Sequence, residues 1–483
     1  MSSCIIERPA ALPFTRQVAC AATFRNDYVQ REINNAWDGV DANQPRVRTL
    51  KPRVAANDDR SSVSERYCWY VLGVLTLTQT CHGIDRAIIG LVLGPVGKEF
   101  ALSDKQLGLL AGFAYGISFA LAALPFGIAV DRYSRRNLMT FALTIWSGAT
   151  AACGLATGFW TLLLGRAAVG MAEAGGSPTG MSLLSDYFTE NRRATAIGIW
   201  YLSSGVGLAI AFFVGGWIIE VSNWRWAFLA AGIPGLVLAP LLFFTVREPV
   251  RGGRDVTKVT VATDQDPLLK RLRLVAARPG LLHCITAIIL IATGIYGQSV
   301  WITTFFVRSH GITIGQAGFI VAIAFGIVGS FGAFAAGWIA DTLNKRRGGF
   351  DPARTALFGS VIPFLTAFAG IGTVSAGSYH WSIFFLMCSG MFSSSYNGPI
   401  YAVIVTVAGP KLRGLAVSLV QLGANLIGVG AGAWLIGAVS DYVGHEHGVA
   451  WGIGMAMLFT LWGGCHLVLA SRSISRAEIR GEL

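Results

Sequence analysis

The sequence predicts an all-α membrane protein of twelve transmembrane helices, arranged as two pseudo-symmetric six-helix bundles. Three observations carry this. Of 483 residues, 53% are hydrophobic and only 13% charged, with mean hydropathy +0.56, whereas soluble domains carry about 25% charged residues. Apolar runs long enough to cross about 30 Å of hydrocarbon recur along the chain. A polar loop motif appears twice, 210 positions apart. Together these exclude an ordinary soluble enzyme and a disordered chain. The 59 glycines suit a bundle in which small residues let membrane helices approach. A net charge of +12 would suggest nucleic acid in a soluble protein. Here it sits in short loops and tails, and no nucleic-acid partner is expected.

Residues 1–66 are polar, lack an apolar signal-peptide core, and are expected to form a disordered cytoplasmic tail. Six spans follow, at roughly 67–96, 105–130, 137–159, 161–188, 194–220 and 226–246, forming the first bundle (67–246). Residues 247–280 hold eight Lys/Arg against four acids and read as a cytoplasmic linker with a surface helix near Pro267–Arg273. The second bundle (281–471) holds spans at 281–308, 313–340, 355–375, 381–408, 414–440 and 448–471, and residues 472–483 form a tail.

The loops orient the bundle. Arg132, Arg135, Arg136, Arg192, Arg193, the linker, Lys345, Arg346, Arg347, Arg354, Lys411, Arg413 and the arginines of the final tail fall on one side. The opposite loops hold balanced charges (Lys98, Lys105, Glu99, Asp104), Glu220 near Arg225, a lone Arg308, and Asp441 with Glu446. The positive-inside rule makes the first side cytoplasmic, with both termini on it. A multi-pass protein of a bacterial inner membrane, working as a monomer, is expected.

The repeated motif is Gly127-x-x-x-Asp131-Arg132-x-x-Arg135-Arg136 after the second span and Gly337-x-x-x-Asp341-x-x-x-Lys345-Arg346 after the eighth. Gly-Gly-Ser-Pro at 175–178 answers Tyr-Asn-Gly-Pro at 396–399. Two related halves are the plan of transporters with a binding site between them. The motif places Asp131 at a cytoplasmic helix end, where pairing with an Arg or a positive helix end would latch that side as a gate.

Ionisable groups inside spans are costly and point to function. The first half has Asp85 and Arg86 in span one and Arg166 and Glu173 in span four; the spans of the second half have no Asp, Glu, Lys or Arg away from their ends. At about 1.5 Å per residue both carboxylates lie near mid-membrane, and Arg86 is turned about 100° from Asp85. The group reads either as an ion-pair cluster joining two helices or as a proton-switched site. Candidate cavity-lining residues in the second half are Tyr296, Gln298, Trp301 and Thr304 in span seven, Ser393, Ser394, Tyr396 and Asn397 in span ten, and Gln421 and Asn425 in span eleven. The eight cysteines show no CxxC or zinc spacing, and His445 with His447 lacks further ligands. No cofactor or metal is expected. No phosphate loop or nucleophile motif is present, so transport would run on gradients.

These residues carry a family resemblance. The two loop motifs resemble those of the major facilitator superfamily over residues 67–471. Asp85-Arg86, Gly165-Arg166-x-x-x-Gly170-x-x-Glu173-Ala174, Ser185-Asp186-Tyr187-Phe188 and Val307-Arg308-Ser309-His310-Gly311 resemble the spinster-like branch, particularly its bacterial members. That resemblance implies a non-enzymatic, proton-coupled transporter of lysolipid or sphingolipid-type amphiphiles. It implies Asp85 and Glu173 as protonation sites, with Arg86 and Arg166 as their partners or headgroup contacts. The anion:cation symporter branch has a similar Asp-Arg and Arg…Gly…Glu-Ala pattern, which leaves an organic-anion/proton symporter as the alternative. Span five, from Gly205-x-Gly207 to Gly215-Gly216, lacks the Gly-Pro antiporter motif.

Overall fold

The computed structural model describes residues 64–251, 267–444 and 447–481. The tail up to residue 63, the linker core 252–266, His445, Glu446 and the last two residues lie outside the described residues. The described part is helical: twelve long rods and one short surface helix. The first six rods are α1 (Glu65–Phe100), α2 (Asp104–Ala111 and Phe113–Arg132, bent at Gly112), α3 (Arg135–Cys153), α4 (Phe159–Glu173 and Gly176–Tyr187), α5 (190–221) and α6 (Trp224–Thr245). The surface helix α7 (Leu268–Ala277) precedes α8 (Leu281–His310), α9 (314–346), α10 (Pro352–Ser375), α11 (379–408), α12 (410–443) and α13 (Gly448–Ile479).

Eight stretches are long and apolar enough to cross a membrane by length and composition alone, and the longest of them, 379–443, holds both α11 and α12. The rods that fall short are α1, α3 and α4. Of these, α1 and α4 carry the intramembrane charges. Their polar faces turn inward, while large apolar side chains point outward elsewhere: Leu121, Leu124, Phe244 and Phe334 are 72–81% exposed. An aqueous protein hides such groups; here lipid covers them.

The two halves repeat in detail. Ser103 caps α2 and Thr313 caps α9, each completing a capping box with Gln106 or Gln316. All four residues keep the 210-residue offset. The bend at Gly112 is answered by a π-helical stretch, Ala322–Val328, in α9. Further π-helical turns lie in α5 (Ala211–Gly215) and α12 (Ala424–Val429). These irregular rods, α2, α5, α9 and α12, form the seam between the halves, with α2 against α12 and α5 against α9. The contact between α2 and α12 is backbone on backbone: a Cβ on Gly108 would stand 2.5 Å from the Ala433 carbonyl oxygen, and one on Gly116 2.6 Å from that of Asn425. Only glycine permits this approach.

At the end away from the basic loops the seam is bridged by hydrogen bonds and an ion pair between the halves. At the basic end, Gly127 and Gly337 have no atoms within 4 Å of an added Cβ. In this conformation the two motif glycines therefore do not mediate close helix approach.

Candidate functional site

Buried polar groups of α1 recur at helical spacing: Thr78, His82 and Asp85 share one face, turned into the first bundle. Asp85 is 0% exposed, and neither carboxylate oxygen has a hydrogen bond of ordinary geometry, although Thr150 and Trp146 of α3 stand beside it. Arg166 of α4 donates from Nη1 to the Asp85 main-chain carbonyl at 3.4 Å. Seven residues along α4, Glu173 is 1% exposed. Its Oε2 accepts the Tyr115 hydroxyl at 2.6 Å and lies 3.2 Å from His82 Nε2. The first segment of α4 ends on Glu173, and Pro178, which lacks an N–H, sits in the restarted helix. The α11 break after Ser393 repeats this arrangement, with Pro399 in the restarted helix.

Arg86 points the other way, into the seam. Its guanidinium lies 5.2 Å from the ring centres of both Tyr115 and Tyr296, and its Nη2 donates to Asn425 Oδ1 at 3.4 Å. Asn425 donates in turn to the Gln421 carbonyl at 2.9 Å, which aims its oxygen at Arg86. Arg166 shares the Tyr115 ring at 5.6 Å. The structure thus separates the two neighbours as their 100° rotation requires: Asp85 inside the first half, Arg86 between the halves.

The remaining expected lining residues divide. Tyr296, Ser394 and Gln421 are exposed, Asn397 is half-buried and bonds the Ser394 carbonyl, and Tyr396 is buried. Gln298 and Trp301 are each 0% exposed and serve packing instead of lining a cavity in this conformation. Gln298 accepts from Ser389 of α11 at 2.9 Å and Trp301 donates to the Ala433 carbonyl of α12 at 2.8 Å.

At the basic end, Arg135 is 1% exposed. It pairs with Asp186 and Glu248 and donates to the Ser182 and Pro249 carbonyls. Arg251 donates to the carbonyls of Val130, Asp131 and Tyr133, closing the end of α2. The Asp131 and Arg132 side chains are exposed, as are Asp341, Lys345 and Arg346. Arg136 lies over the Phe243 ring. These motif groups bind the first half to itself; no hydrogen bond or ion pair of the described residues joins the Asp131 carboxylate to the second half.

Arg308 is not lone. It grips Asp104 bidentately at 2.5 and 2.7 Å, and Ser440 donates to the same carboxylate at 2.6 Å. Asp441 of α12 accepts the first amides of α2, from Asp104 and Lys105, at 2.9 Å each. Glu220 of α5 accepts the Gly315 amide of α9 at 3.0 Å. On both sides of the seam, then, a carboxylate of one half sits on a helix N-terminus of the other. Sequence reading missed these links, and also His82 and Tyr115. The signal available for His82 was its three-residue spacing from Asp85.

A family profile described as the Major Facilitator Superfamily matches residues 75–433. The chain is 25% identical to the D-galactonate transporter of Escherichia coli over 80% of this chain and 90% of that protein. It is 25% identical to the sphingosine-1-phosphate transporter SPNS2 of Danio rerio over 76% of this chain and 75% of that one. Its backbone is similar to a solved bacterial homologue of the human lysosomal transporter Spinster in an inward-facing, unoccupied conformation, with TM-score 0.75 and 26% identity over 86% of this chain and 98% of that one.

Proposed function

The chain belongs to the Major Facilitator Superfamily, a family of membrane transporters and not enzymes, and on that premise we propose that it moves an amphiphilic, lysolipid- or sphingolipid-type substrate by alternating access, coupled to protons. The observation that carries this reading is the one-sided chemistry of the seam. Arg86, backed by Glu173 and Tyr115, faces it from the first half. The spans opposite contribute aromatic, amide and apolar groups but no charge. A headgroup fits the first wall and an alkyl chain the second. Likeness to the zebrafish sphingosine-1-phosphate transporter supports the substrate class.

In this reading the basic end faces the cytoplasm and the bridged mouth faces outward, as expected of an inward-facing state, which likeness to the inward-facing bacterial Spinster homologue supports. Asp85 and Glu173 take up the coupling proton, Arg86 and Arg166 meet the headgroup, and one chain suffices for transport. The test is a binding series of lysolipids of increasing chain length, on wild type and Ser394→Asp. Burial contributes about 0.8 kcal/mol per CH₂, so affinity should climb about fourfold per methylene until the cavity fills. Ser394→Asp, at the exposed break of α11, should harm lipid binding more than that of a small polar solute. A flat series with strong competition by a hexuronate would transfer the assignment to an organic-anion/proton symporter, the reading that likeness to the D-galactonate transporter supports.

A further inference from the structure

One buried imidazole has no part in the scheme so far. His82 is 6% exposed and lies one helical turn before Asp85 on α1. Its Nε2 is within charge-assisted bonding distance of Glu173 Oε2, at 3.2 Å. That oxygen already accepts the Tyr115 hydroxyl. The outer atoms of the pair, His82 Nδ1 and Glu173 Oε1, are both buried without a hydrogen-bond partner. A buried imidazole ordinarily has its second nitrogen fixed by a bond; this one has an acceptor position open. The charged and titratable groups around the pair are Asp85 and Arg86 on its own helix, Tyr115 on α2 and Arg166 on α4. Trp146 of α3 stands edge-on to the imidazole at 6.3 Å, and Tyr296 of α8 reaches Arg86.

We propose that His82 and Glu173 form a single proton-binding site, with one proton shared between Nε2 and Oε2 and a second accepted at Nδ1. This rests on the proton-coupled reading above and deepens it. Moving the shared proton breaks the N–H bond and forms an O–H bond, turning imidazolium and carboxylate into imidazole and carboxylic acid. The net charge of the pair is zero in both forms, so the low-dielectric interior tolerates either. Removing the Nδ1 proton, with the shared proton resting on Nε2, leaves the pair at −1, with Arg86 as its nearby counter-charge. Loading it neutralises the pair and frees Arg86 for an anionic headgroup. Proton and substrate are thereby linked through one guanidinium.

Loading Nδ1 takes the pair from −1 to 0, and a further proton on the open Glu173 Oε1 takes it to +1, so the coupled groups titrate in two macroscopic steps. Wild-type uptake of a lysolipid into proteoliposomes should therefore show two inflections with pH. His82→Gln should show a single inflection in the uptake that remains, displaced by about one pH unit or more. Infrared titration of purified protein gives an independent readout. With labelled histidine, the imidazole band should change together with the protonated-carboxyl band, and Glu173→Gln should abolish that linkage. His82→Asn replaces the first variant if Gln impairs folding. A His82 variant with the wild-type pH profile, or imidazole and carboxyl bands that titrate independently, overturns the shared site. Wild-type uptake that does not respond to an imposed pH gradient would instead overturn the proton-coupled reading itself, so the two failures are distinguishable.

Discussion

Glu173 and Asp85 are equally buried but differently served: Glu173 accepts a phenol and faces an imidazole, whereas Asp85 lacks a well-formed hydrogen bond. Carboxylates at this depth inside spans are costly and rare, which points to function. Glu173→Gln and Asp85→Asn preserve shape and remove the proton site. Each should reduce uptake driven by a pH gradient by 100-fold or so, a loss of about 2.7 kcal/mol, while leaving substrate exchange measurable. Proteoliposome flux with and without an imposed gradient checks this; undiminished driven flux in both variants removes them from the mechanism. The charged members of this group were legible as charges inside apolar runs. His82 and Tyr115 were not, because neither stands out from hydropathy in that way. Gln298 and Trp301 were polar groups whose use depends on what the neighbouring helix offers, and here a hydroxyl and a carbonyl claim them.

At the scale of elements, the junction of α3, α4 and α6 at the basic end hinges on Glu248. Burial opposes its ionisation, but the Arg136 amide, the Arg135 guanidinium and the Ser134 hydroxyl together hold its carboxyl below the usual range. Its contribution to stability is therefore full above the unfolded glutamate value, about 4.3, and fades as pH falls through the lower folded value. Glu248→Gln should lower Tm at pH 7 by about 1–3 °C and flatten the fall of Tm between pH 5 and 3. Thermal unfolding in detergent across that range measures both, and an acid limb as steep as wild type would exclude Glu248 as its source. The rods themselves follow from run length and from local signals such as the Ser103 and Thr313 caps. The π-helical turns and the bend at Gly112 follow from no local signal; they occur where one backbone must clear another across the seam.

For the whole molecule, the bridged mouth is held by links between the halves: Arg308 with Asp104, Asp441 on the start of α2, and Glu220 on the start of α9. Arg308→Gln leaves the Asp104 carboxylate, 2% exposed, without its cation, and should move the conformational equilibrium toward opening of that mouth by about 1–3 kcal/mol, or 5–150-fold. Asp131 is unlatched here, so the proposed gate at the basic end can form only in the opposite state, and Asp131→Ala should move the equilibrium the other way. Spin-label distances across both mouths read the two shifts; unchanged distributions in either variant count against that latch. The sequence by itself determined the membrane class, the repeat, the family resemblance and the charges of the first half, because apolar run length, a fixed residue offset and the cost of intramembrane charge are all properties of local chain text. Only the tertiary structure decided that Asp85 and Arg86 serve different compartments, that His82 joins Glu173, and that Arg308 closes a mouth. Those facts depend on which face of one helix meets which residue of another about 50 to 340 positions away, and no local pattern encodes that meeting.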